Sequence, residues 1–390
     1  MKKKLSWGIL ILMFILALVA VSGCGGSSDK QVNTGKQETT GSTDEGQPAE
    51  VEPIELRLSS GLGQVHFWVG NYMDNFADEI EKETNIEFDR YYAGELVKVG
   101  RELDALKGGT IDVAAPFLAP YHEGLFPLSD VTQLPLLNSD STMVTKAFQK
   151  LMDSDVDLKD GQSFYDYEFT SKGLVAWPLG ATEKYALSTA GKEFNTINDF
   201  SGVPIRAGST LAMMAVENLG LTPVYMPSAD AYEAISKGTL DGLISSIGDW
   251  QSYGFQELVE YTIVGINMGH WESYLTLTKE TWDALPADVQ ETWDRVAREQ
   301  ALKNAKYITS LDVAQIEESK AKGAVFEDIS DLDPAVQGHF TQAATKTWER
   351  WIAAVEKEGH PAEAAAKLWA QLILEEGGTL PDGVSELLGL

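Results

Sequence analysis

Short apolar segments of strand character alternate with helical ones twice along this chain, and that alternation limits the fold more than anything else. The first run opens with Ile54-Glu55-Leu56-Arg57-Leu58 and passes through Ser59-Ser60-Gly61-Leu62-Gly63. Next, Val65, Trp68 or Val69, Tyr72 or Met73, Phe76 and Ile80 recur every three or four residues, which predicts a helix. A strand near 86–91, a helix near 97–107 stopped by Gly108-Gly109, and a strand near 111–115 complete a β-α-β-α-β pattern. The second run reads as strands at 174–177, 185–188 and 203–206, a helix at 211–219, and the short strand Pro223-Val224. A helix at 232–236 and strands at 242–245, 261–266 and 274–278 follow. From Thr281 the pattern is almost wholly helical. Residues 286–322 hold no internal proline or glycine, so they form one very long helix or two abutting ones. The expectation is α/β with mostly parallel sheets, in two lobes with long C-terminal helices. Residues 54–175 with about 265–300 are assigned to lobe I, and 176–264 with about 301–390 to lobe II. Ligands of such sheets bind beyond the carboxyl ends of the strands, where two lobes can close over them.

Cys24 is the sole cysteine, so no disulfide staples the chain and the fold rests on packing. The residue follows Lys2-Lys3-Lys4, an apolar run over 9–21 and the small residues Ser22-Gly23, the order of an export signal. That run is shorter than the roughly 20 apolar residues a membrane-spanning helix needs. The segment resembles a bacterial lipoprotein signal. Residues 1–23 are then removed, and Cys24 carries lipid at an extracytoplasmic membrane surface. Residues 24–53, poor in apolar side chains, form a flexible spacer behind the anchor.

Acidic residues outnumber basic ones by 59 to 30, a net charge of −29, and loss of the lysine-bearing signal makes it more negative. Such a surface repels nucleic acid. Enzyme signatures are absent: no G-x-S-x-G, H-E-x-x-H, Walker or G-x-G-x-x-G sequence occurs. The histidines, His66, His122, His270, His339 and His360, show no metal-ligand spacing. A binding protein with no metal, no cofactor and no catalytic residue is expected.

Five ordered motifs sharpen this. Tyr92-Ala93-Gly94-Glu95-Leu96 and Lys107-Gly108-Gly109-Thr110-Ile111-Asp112 resemble the "PAGQL" and "SGTIDI" of TRAP-transporter solute-binding proteins of the dicarboxylate type. The block Ile197 to Arg206, INDFSGVPIR, is similar to a "DLKG" turn feeding a strand that ends in arginine. Leu219 to Pro227, LGLTPVYMP, resembles "LGATPVPMP", and Ala231 to Gly242, AYEAISKGTLDG, resembles "VYEALQKGVVDG". The resemblance implies a two-lobed periplasmic-binding-protein-like fold with the ligand in the cleft between lobes. It also implies capture of a small organic acid by hinge closure and delivery to TRAP membrane subunits. In the family this arginine clamps the carboxylate, which assigns that role to Arg206; its planar fork suits a carboxylate.

The remaining pocket candidates carry specificity. Phe117, where some relatives place a glutamate, offers an apolar wall with Tyr121 nearby, and Ser245 stands where relatives carry a ligand-binding asparagine. Both departures point to a less polar ligand. The stretch from Tyr121 to Asp130 resembles a "PGRFPL" loop, with Leu125 in place of the arginine. That loop belongs to a branch carrying aromatic and other monocarboxylic acids, which implies an aromatic or otherwise partly apolar monocarboxylate. Lys184 or Tyr185 could contact a second acidic or hydroxyl group. His66 follows the first strand. Trp68, Trp250 and Trp271 could stack on a ligand ring or fill core. Two other readings stay open: a binding lipoprotein of ABC-type uptake or ligand sensing, and a surface hydrolase such as an esterase or glycosidase.

Overall fold

Two sheets, reached by a chain that crosses between them, carry the architecture of this computed structural model. It describes residues 52–122 and 124–390; the signal, Cys24 and residues 25–51 of the spacer lie outside the described residues. The strands are β1 (Ile54–Ser59), β2 (Ile86–Tyr91), β3 (Val113–Phe117), β4 (Leu174–Pro178), β5 (Ala186–Thr189) and β6 (Pro204–Ala207). They continue with β7 (Thr222–Tyr225), β8 (Gly242–Ser245), β9 (Tyr261–Val264), β10 (Tyr274–Thr278) and β11 (Val325–Asp328). One sheet has the order β2-β1-β3-β10-β4, the other β11-β9-β5-β8-β6-β7.

The sheets are mixed rather than mostly parallel. β1 runs parallel to β2 and β3, β6 to β7 and β8, and β9 to β11. β10 is antiparallel to β3 and β4, and β5 to β8 and β9. The cause is topological. β5 and β10 are the two strands that enter a sheet directly from the other one, with no intervening helix to return the chain to the parallel sense.

The two crossing segments, residues 179–185 and 265–273, pair with each other. Leu179 N–H donates to Ser273 O, Thr182 N–H to Trp271 O and Tyr185 N–H to Gly269 O, each at 2.9 Å. This ribbon joins the lobes beneath the cleft. A single 35-residue helix, Ala287–Ala321, about 50 Å long at 1.5 Å per residue, packs against β4 of one sheet and β11 of the other. One buried apolar cluster runs from Leu58 and Ile80 through Trp293 on that helix to Ile205 and Ile263 in the second sheet. The helix Pro334–Lys357 packs on the helix Thr210–Asn218, and the helix Ala362–Glu375 on the helix Ser141–Asp153.

Local chemistry explains where elements begin. The first helix starts after Val65, which is exposed, because His66 caps it: His66 Nδ1 accepts the Trp68 N–H at 3.2 Å. Its first stretch, Phe67–Met73, is π-helical before α-helix takes over at Asp74–Glu83. Gly100 at φ +78° interrupts the helix expected from 97, leaving Glu102–Lys107. The strand expected from 111 starts at Val113, because Asp112 turns its carboxylate onto Arg57, accepting from Nε and the main-chain N–H at 2.8 Å. β11 has no counterpart in the sequence reading; none of its four residues is fully buried and they show no apolar run.

Candidate ligand cleft

Arg206 lies near the carboxyl end of β6, flanked by the parallel strands β7 and β8, and is 2 % exposed. The chain after each flanking strand or within it holds the guanidinium. Nε donates to the Met226 carbonyl at 2.9 Å, and Nη1 lies 3.5 Å from the Ile244 carbonyl. A side chain at Gly208 would put its Cβ 2.5 Å from Nη2, so glycine leaves room for the fork. Two of five N–H donors are thus spent on backbone. Among the described residues Arg206 forms no ion pair with a carboxylate. The side chain opens on a cleft of about 540 Å³, its mouth included.

Aromatic side chains from several segments make the walls. Trp68 comes from the π-helical turn, Tyr121 from the turn after β3, Tyr185 and Trp271 from the crossing ribbon, and Tyr253 from the short helix after β8. Trp68 Nε1 donates to Gly180 O at 2.8 Å and Trp271 Nε1 to Ser273 Oγ at 3.2 Å, so both indole N–H groups are satisfied while the rings line the cleft. Tyr121 and Trp271 lie 5.5 Å apart between ring centroids. Burial pushes the Tyr121, Tyr185 and Tyr253 hydroxyls above the usual tyrosine range, so they stay protonated and able to donate. The residues Pro227, Ser228 and Ala229 bring the start of the helix Ser228–Ser236 to the same cleft. That end carries positive partial charge and adds to the pull of Arg206 on an anion.

His66 and Asp249 form the other polar feature. With Nδ1 accepting the Trp68 N–H, the ring proton of neutral His66 sits on Nε2, which stands 3.4 Å from Asp249 Oδ1. Asp249 is 7 % exposed, and its Oδ1 has no hydrogen-bond partner. Sequence reasoning missed Asp249 and Tyr253. Beyond Ser245, the last residue of β8, it singled out only Trp250, although a turn of helix beyond a strand end is where an α/β cleft is lined. Among the described residues no group of three His, Cys, Asp or Glu side chains could hold a metal ion.

The fold thus brings together Arg206, Tyr121, Tyr185, His66, Trp68 and Trp271. It places four other candidates elsewhere. Phe117 is fully buried, stacked on His122 at 4.6 Å and edge-on to Phe126, because its position on β3 points it into the core behind the sheet. Ser245, paired with Ala186 in the sheet, has its Oγ buried without a partner. Trp250 packs among Leu243, Ile247 and Phe255, since one step along the turn from Asp249 rotates it to the opposite face. Lys184 is half-buried on the far side of the ribbon, where its charge acts on Asp312 and Asp328. Neighbours in an extended segment face opposite ways, so Tyr185 enters the cleft and Lys184 leaves it.

Residues 62–354 match the family described as "Bacterial extracellular solute-binding protein, family 7". The chain belongs to this family. Among relatives of this family 7 protein, the C4-dicarboxylate-binding periplasmic protein DctP of Rhodobacter capsulatus is 26 % identical over 65 % of this chain and 73 % of its own length. A marine-metagenome TRAP solute-binding protein specific for aromatic acid ligands, solved with 3-hydroxybenzoate, superposes with a TM-score of 0.74. It shares 18 % identity and covers 84 % of this chain and all of its own. A TRAP solute-binding protein from Rhodoferax ferrireducens, solved with copurified benzoate, gives 0.71 at 20 % identity, covering 83 % and 98 %. These likenesses show the two-lobed binding-protein fold.

Proposed function

We propose that this family 7 protein captures a small, partly apolar monocarboxylate between its lobes and hands it to the membrane subunits of a TRAP transporter. The observation that carries this is Arg206: a buried guanidinium, in no ion pair among the described residues, facing a cleft lined largely by aromatic and apolar side chains. A buried charge without a counter-charge is costly, and a bound carboxylate supplies one with two parallel hydrogen bonds. Tyr121 and Tyr185 add neutral donors, and Trp68 and Trp271 present ring faces to the ligand's apolar body. Tyr185 lines the cleft and Lys184 does not, which supports Tyr185 as the contact for a second acidic or hydroxyl group. Relatives solved with benzoate and 3-hydroxybenzoate support the aromatic reading. Native mass spectrometry of the purified protein should reveal a retained acid, and calorimetry should show that acid binding where its amide and methyl ester fail. An ester bound as tightly as the acid would end this reading.

The protein works outside the cytoplasmic membrane, tethered by lipid on Cys24 at the end of a polar spacer. The lone cysteine behind a signal-like segment supports this. A Cys24→Ser variant is expected to leave the membrane fraction, or to remain unprocessed, while residues 54–390 still fold. Wild-type protein recovered soluble, with no lipid mass on its N-terminus, would refute the tether.

A further inference from the structure

The carboxylate clamp accounts for one end of the cleft and leaves Asp249 unused. Resting on that reading, we propose that the ligand carries a hydrogen-bond donor, a hydroxyl or ammonium group, which docks on Asp249.

Asp249 lines the cleft, is more than nine-tenths buried, and keeps an oxygen with no hydrogen bond. Its surroundings are apolar or aromatic: Leu62, Trp68 and Tyr253 share the wall. His66 is fixed beside it, its ring stacked on Trp68 at 5.0 Å and edge-on to Tyr253 at 5.9 Å. The cap bond to Trp68 N–H fixes the His66 tautomer, so Nε2–H faces Asp249, yet at 3.4 Å it does not satisfy the carboxylate. A carboxylate oxygen buried without a formed hydrogen bond is destabilising, and a ligand group that donates to it relieves the cost. Arg206 is not paired with Asp249, so the cleft holds a guanidinium with no carboxylate partner and a carboxylate whose neighbour, His66, stands 3.4 Å away without a hydrogen bond. A molecule with an acid at one position and a donor at another is complementary to both. A second carboxylate placed against Asp249 is repelled, which rejects dicarboxylates by a charge the site itself supplies.

The test is calorimetry on the full chain with phenylacetate, 3-hydroxyphenylacetate, mandelate, phenylalanine and succinate. At least one donor-bearing acid should bind about tenfold or more tighter than phenylacetate, the gain expected of a hydrogen bond to a charged group, and succinate should bind worst. Asp249→Asn should shrink that advantage, most for phenylalanine, and Asp249→Leu should erase it. Melting curves of both variants verify folding, and the wild-type comparison needs no variant. Equal affinity for phenylacetate and every donor-bearing acid overturns the proposal, as does an advantage that survives Asp249→Leu, or silence from all five. The clamp fails separately: if tyramine and 2-phenylethanol bind as well as the acids, Arg206 is not the anchor, and an Asp249-dependent donor preference would still stand.

Discussion

A guanidinium and a carboxylate buried in one cleft without pairing set the terms at the scale of single residues. Arg206→Lys keeps the charge but loses the fork, and hydrogen bonds to charged groups are worth about 1.5–3 kcal/mol. Calorimetry should therefore show the acid weakened about ten- to a hundredfold, and further by Arg206→Ala. A melting temperature that collapses in Arg206→Ala would instead assign the residue to structure. The tryptophans divide by placement. Trp250 is wholly buried among Leu243, Ile247 and Phe255, so Trp250→Ala should cost about 3–5 kcal/mol in denaturant titrations and leave the affinity of the folded protein nearly intact. Trp68→Ala should weaken ligand as well as fold, because its ring lines the cleft while its N–H ties down Gly180.

Among the elements, the crossing ribbon matters most, because both segments that join the lobes also supply Tyr185 and Trp271 to the cleft. Gly180 sits there at φ +101°, and a Cβ would come 2.7 Å from the Ala301 carbonyl of the long helix. Gly180→Ala faces both strain and collision, so it should lower stability by more than about 1 kcal/mol, read as a reduced melting temperature. Its ligand affinity should change too, since Trp68 donates to the Gly180 carbonyl. An unaltered melting temperature would show that ribbon and helix have more freedom than their packing implies. The antiparallel strands β5 and β10 belong to the same story. They follow the crossings, and periodicity marks a strand without marking its direction.

For the whole molecule, a ligand touching both lobes binds the closed arrangement better and shifts the population toward it. Small-angle scattering should show the radius of gyration shrinking on saturation with acid; an unchanged radius would argue against hinged closure. Stability should also depend on pH through four carboxyls, Glu168 and Glu272 buried and Asp130 and Asp312 half-buried. Burial, the largest cause in each, pushes Asp130, Glu168 and Asp312 up to about 7 and Glu272 up to about 8. Near neutrality the folded chain holds protons that the unfolded chain has released, so stability falls as pH rises through these values. His270, which burial keeps neutral, acts in the opposite sense only below its ordinary 6.5. Melting temperature should therefore drop between about pH 6.5 and 8, and Glu272→Gln should flatten the upper part of that slope.

What the sequence alone determined is local. Strand and helix identity follows from apolar periodicity, and residues 287–322, free of proline and glycine, read as one long helix or two abutting ones, of which the structure shows one. The position of Arg206 near a strand end follows from its own short strand and turn, INDFSGVPIR, which lies contiguously in the chain. The tertiary structure alone decided which face each candidate presents. Phe117 and Trp250 read as pocket residues by position, yet the pleat of β3 and the turn after β8 carry them into core. It also decided the meeting of His66 with Asp249, which follow strands of different sheets and share no motif. Their proximity depends on the two sheets being joined by the ribbon and the long helix, a packing arrangement that no local pattern of residues encodes.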